Sequence, residues 1–108
     1  MSIIRFLGVG ALALGPAWAA AQAQDVNLAR NLAATCANCH GTNGQVRGSD
    51  VKPLAGVPAA NIAGLMAGYK SGAITGATIM HQIAKGYTDE QIQLIAGYFA
   101  AQKPAGKQ

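Results

Sequence analysis

The sequence predicts an all-α fold: one small domain made of three helices and short connections. Three observations carry that expectation. Apolar residues recur at the i, i+3, i+4 spacing of a helix face in three separate segments. No stretch alternates apolar and polar residues as a half-buried strand does. The stretches between the helical segments are dense in Gly, Pro, Asn and Ser. A length of 108 residues suffices for one domain.

The first segment stands apart from that domain. Met1-Ser-Ile-Ile-Arg5 is a short positively charged opening, Phe6 to Leu14 is apolar, and Gly15-Pro16 breaks the run. Ala17-Trp18-Ala19, Ala19-Ala20-Ala21 and Ala21-Gln22-Ala23 then fit a small-residue cleavage pattern. Residues 1–23 therefore read as a cleaved signal peptide, with a mature chain starting near Ala20 or Gln24 and a folded domain over 24–108. The apolar run is too short for a stable bilayer span, so export to the periplasm without a membrane anchor is expected. A domain of that size buries little apolar surface unaided and gains from a staple or a cofactor.

The first helix is expected over Asp25 to Thr35, with Leu28 and Leu32 on one face and Asp25 near the positive end of the helix dipole. Gly41 to Pro58 reads as loop. Ala59 to Ser71 returns to helix, with Ile62, Leu65, Met66 and Tyr69 in one stripe and Gly72 as its stop. Thr75 to Ala84 is a connection with at most a helical turn. The last helix has the sharpest boundaries. Thr88 is its N-cap, Gln91 completes a capping box, and Asp89 and Glu90 occupy the first turn. Ile92, Ile95, Ala96 and Phe99 form its buried face, and Pro104 follows its end. This helix is expected to pack across the first one.

The formal net charge is +4, lowered by one when Arg5 leaves with the presequence. Arg30, Arg47, Lys52, Lys70, Lys85, Lys103 and Lys107 are scattered, without a basic stripe or interleaved aromatics. That distribution argues against a nucleic-acid partner and fits a solvated surface. No Ser–His–acid set or Gly-rich phosphate loop is present, and capping explains Asp89 and Glu90, so no residue is assigned a catalytic role.

The chemistry lies in Cys36-Ala37-Asn38-Cys39-His40, a Cys-x-x-Cys-His sequence that uses both cysteines of the chain. This is the attachment signature of haem c. Two thiols at this spacing reach the vinyl groups on one porphyrin edge, and the following His projects toward the iron. A redox dithiol would need a βαβ context that is missing. A zinc site would need Cys36, Cys39, His40 and His81 together, three of them crowded into five residues. A structural disulfide is the remaining alternative in an exported protein. The second axial position has three candidates: Met66, Met80 and His81. Met66 lies on an apolar stripe and fits a core role. Met80 and His81 are adjacent and cannot both face the iron, and spacing separates them only weakly. Pro53 and Leu54 are candidates for the haem pocket, with the Pro53 carbonyl available to hold the second nitrogen of His40.

Thr35-Cys-Ala-Asn-Cys-His-Gly41, Pro53-Leu54-Ala55-Gly56 and the Met80 region, in that order, resemble a class I cytochrome c over essentially the whole mature chain. Thr78-Ile-Met-His-Gln-Ile-Ala-Lys-Gly-Tyr87, followed by Thr88-Asp-Glu-Gln-Ile92 and Gly97-Tyr98-Phe99, is similar to the haem subunit of flavocytochrome c sulfide dehydrogenases. The resemblance implies N- and C-terminal helices crossing around one covalently bound haem. Cys36 and Cys39 would be its thioether links, and His40 and Met80 its axial ligands. Pro53 would be the carbonyl acceptor behind His40. It also implies an FAD-containing sulfide dehydrogenase subunit as partner in a heterodimer, and a soluble or membrane electron acceptor downstream. Family members with two haem domains carry a second attachment motif, which this chain lacks.

Overall fold

A computed structural model of the chain describes Gly10 and residues 27–106. The remainder of the expected signal peptide, and Asp25 at the expected start of the first helix, lie outside the described residues. Within them the regular structure is entirely helical: α1 (Leu28–Ala34), α2 (Ala37–His40), a 3₁₀ turn at Thr42–Gly44, α3 (Ala59–Ser71), α4 (Met80–Ala84) and α5 (Asp89–Ala100). No described helix is long and apolar enough to cross a membrane.

The chain leaves α1 at Thr35, whose hydroxyl donates to the Leu32 carbonyl at 3.2 Å and so satisfies an end group of the last turn. A fresh helical turn, α2, then carries the cysteine motif. Pro58 fixes the entry to α3, and Gly72 ends that helix in the left-handed region, as its position in sequence predicts. At α5 the expected capping box is present in full. The Gln91 amide donates to Thr88 Oγ1 at 3.1 Å, and the Thr88 amide donates to Gln91 Oε1 at 2.9 Å.

Helix α5 lies against both α1 and α3, and α4 packs on α3. The face expected for α5 is the observed one: Ile92, Ile95, Ala96 and Phe99 are all buried. Burying side chains of the Ile and Phe class stabilises by about 1.5–3 kcal/mol each. On α1 the buried residue is Ala33, whereas Leu32 is half-buried and Leu28 exposed. On α3 the buried set is Ile62, Ala63 and Met66, and Leu65 is half exposed. On α1 burial falls on Ala33, beside the expected Leu32, whereas on α3 Ile62 and Met66 are buried and Tyr69 packs on the core as expected, with Ala63 buried where Leu65 was expected. Ala33 on α1 and Ala96 on α5 both lie in the core cluster, between two helices that pack on each other. Four of the nine residues in the core cluster are alanine, so the core is small.

Candidate functional site

The attachment motif folds as one turn. The amides of Cys39 and His40 both donate to the Cys36 carbonyl, at 3.3 and 2.9 Å. Residues three apart on such a turn share a face, so Cys36 and Cys39 lie on one side of it. Both are free thiols, Cys36 half-buried and Cys39 exposed. Burial pushes the Cys36 thiol above its ordinary value, against a smaller opposing effect of hydrogen bonding from Thr35. That is the reverse of the lowered, thiolate-forming cysteine of dithiol redox sites. Among the described residues no three His, Cys, Asp or Glu side chains gather to hold a metal ion. His81 therefore does not complete a zinc cage with the motif.

His40 is half-buried, and its Nδ1–H donates to a backbone carbonyl at 2.6 Å. That carbonyl belongs to Lys52, one residue before Pro53, the acceptor the sequence suggested. Proline itself supplies the reason. It biases the preceding residue toward extended backbone, and a carbonyl there is free of helical bonding. Pro53 is exposed, and Leu54 is half-buried against the core cluster. The loop is pinned from behind. The amides of Leu54 and Ala55 donate to the Gly44 carbonyl at 2.9 and 3.1 Å, and the Gly56 amide donates to the Phe99 carbonyl at 2.9 Å. Gly44 has φ +74°, and a Cβ there would lie 2.9 Å from each of Leu54 Cβ, the Ala55 amide nitrogen and Phe99 Cδ1. Only glycine allows this approach. With Nδ1 protonated and held, the Nε2 lone pair of His40 is oriented for a metal.

Of the candidates for the second axial position, Met66 is 6% exposed within the core. Met80 is the first residue of α4, half-buried and packed against the core cluster. His81 is also half-buried. Consecutive residues on a helix point about 100° apart, so the two cannot serve one iron together. Tyr87 follows α4, and its hydroxyl meets Thr35 Oγ1 at 2.6 Å, beside the attachment turn. The sequence gives no sign of this contact or of the Lys52 carbonyl beyond the proline that follows it.

These groups fit a covalently held haem. Two free thiols share one face of a turn, an imidazole stands beside them with its outer nitrogen fixed, and a thioether heads a separate helix. Leu65, Ile79 and Ile83, on α3 and at the start and body of α4, present exposed apolar surface of the kind a porphyrin covers.

No family model matches the chain. Two characterised proteins are similar to it. It is 41% identical over 68 residues to the cytochrome subunit of sulfide dehydrogenase from Chlorobaculum tepidum, a match covering 63% of this chain and 60% of that protein. It is 35% identical over 71 residues to cytochrome c-554(548) from Halomonas halodenitrificans, covering 64% of this chain and 86% of that protein. The chain thus spans about three fifths of the length of the first relative and most of the second. Set beside the all-helical fold and the thiol–imidazole turn between α1 and α3, these matches establish that the chain belongs to the class I cytochrome c family.

Proposed function

We propose that the protein is a periplasmic monohaem c-type cytochrome that accepts single electrons from the FAD-containing subunit of a sulfide dehydrogenase and passes them to a soluble or membrane acceptor. Cys36 and Cys39 form the thioether links, His40 and Met80 are the axial ligands, and Pro53 and Leu54 belong to the pocket. The observation that carries the haem assignment is the His40 imidazole, held through Nδ1 by the Lys52 carbonyl at 2.6 Å on the turn that bears both thiols. A haem so held supplies one-electron exchange between ferric and ferrous iron, and His/Met ligation raises its potential. The protein's part is to ligate the iron, orient its ligands and exclude water. The flavoprotein partner is supported by the 41% identity to a cytochrome subunit of sulfide dehydrogenase.

A second reading, a free-standing electron shuttle, is favoured by coverage. The cytochrome c-554(548) relative is matched over 86% of its length. Purification from the periplasm of the native host separates the two. Haem and flavin that co-elute, with haem reduced on adding sulfide, support the subunit. A haem c protein that elutes alone, and that a purified flavoprotein with sulfide leaves oxidised, overturns the subunit reading. A denatured chain without a covalent haem spectrum overturns both.

A further inference from the structure

The two sides of the site sit on different parts of the fold. Cys36, Cys39 and His40 follow α1, which packs on α5. Met80 heads α4, a helix of five residues whose neighbour is α3. A helix that short has little stability of its own, so its position depends on what holds its ends. Its core anchor is Ala84, fully buried. Past its end comes Tyr87, half-buried against the core, with its hydroxyl 2.6 Å from Thr35 Oγ1. Thr35 immediately precedes Cys36. Its hydroxyl also meets the Leu32 carbonyl at 3.2 Å. In the Thr35–Tyr87 pair either hydroxyl can be the donor. The result is a short chain of hydrogen bonds running from the α4 segment through Thr35 to the last turn of α1.

From this juxtaposition we propose that Thr35 and Tyr87 are positioning residues. Their hydrogen bond ties the segment bearing Met80 directly to the segment bearing His40, and so sets how firmly the Met80 thioether holds the sixth position of the iron. The proposal rests on the reading of Met80 as a ligand. Neither residue touches the iron; both act through the placement of α4. Losing the tie lets α4 move away from the attachment turn more readily, and an external ligand then competes better with the thioether.

The test uses the haem-loaded protein as wild type, Tyr87→Phe, Thr35→Val and the double variant. Each is titrated with imidazole in the ferric state, and thermal unfolding is followed alongside. A net hydrogen bond of ordinary strength corresponds to about a 2- to 10-fold rise in imidazole affinity for each single variant. The double variant should rise no further than Thr35→Val alone, because Tyr87→Phe then removes a bond that is already lost. Thr35→Ser, which keeps the hydroxyl, should restore wild-type affinity. Should Thr35→Val impair haem attachment next to Cys36, Tyr87→Phe decides alone. Imidazole affinity unchanged in Tyr87→Phe, whatever happens to the melting temperature, overturns the tether, as do single effects that multiply in the double variant. A wild-type ferric protein lacking the near-infrared thioether–iron band overturns the Met80 assignment instead, and the tether with it.

Discussion

Replacing Gly44 by alanine perturbs the site through the loop behind it, by way of Leu54, without altering a thioether cysteine or an axial ligand. Gly44 holds φ +74°, where an L side chain costs about 1–2 kcal/mol. The added Cβ would lie 2.9 Å from Leu54 Cβ, the Ala55 amide nitrogen and Phe99 Cδ1. Two of these three are close to backbone, and the third belongs to a ring 1% exposed in the core, so the loop must move instead. That movement strains the two bonds accepted by the Gly44 carbonyl, at 2.9 and 3.1 Å, each contributing about 0.5–1.5 kcal/mol. The expected loss is about 2–5 kcal/mol, measured by denaturant unfolding of the haem-loaded protein. The same loop carries the Lys52 carbonyl, so the His40 Nδ1 hydrogen bond weakens as well. A less strongly held imidazole is a weaker donor to ferric iron, and the midpoint potential should rise. Gly97→Ala is the control: it lies within α5 with nothing within 4 Å of the new Cβ, and should stabilise by about 0.5–1 kcal/mol. If Gly44→Ala unfolds within about 0.5 kcal/mol of wild type at an unshifted potential, the loop does not hold the imidazole and the reasoning fails.

Cys36→Ser and Cys39→Ser should each leave a haem bound through one thioether, read as a shifted haemochrome spectrum after denaturation, and the double change should leave none covalently attached. Met80→Ala should abolish the ferric near-infrared band, lower the midpoint potential and speed CO binding to the ferrous form; an unaltered band would move the ligand to another residue. Thr88→Ala removes half of a capping box and should cost about 1 kcal/mol in denaturant unfolding while leaving the potential in place. With both cysteines replaced, the chain lacking haem should unfold with low cooperativity in calorimetry, since among the described residues four of nine in the core cluster are alanine and Phe99 and Ile95 are the largest fully buried side chains.

What could be read from the sequence follows the range of the forces involved. The bounds of α3 and α5 were legible because local chemistry sets them: a proline before α3, a left-handed glycine after it, and a capping box at Thr88. The attachment turn was legible because covalent chemistry fixes its spacing. The burial of Ala33 instead of Leu28, and of Ala63 instead of Leu65, was not. Periodicity identifies a helix face, but the partner helix decides which part of that face is covered. Leu28 and Leu65 are apolar at the right period yet exposed at 39% and 49%.

The site shows the same division more sharply. The groups with diagnostic side chains announce themselves, whereas the group that orients His40 is a main-chain carbonyl that any residue at position 52 would supply. Its identity is set by where the loop is pinned, through Gly44 and the amides of Leu54 and Ala55, and that pinning depends on Phe99 of α5 some fifty positions away in the chain. The packing of α5 and the orientation of the imidazole are thus one structural problem: the Phe99 ring limits the space at Gly44, and the Phe99 carbonyl holds Gly56. A substitution in α5 that alters the Phe99 backbone should therefore disturb His40 more than Cys39, because Cys39 is exposed on the turn at Cys36, while the imidazole also needs the Lys52 carbonyl that the whole loop positions.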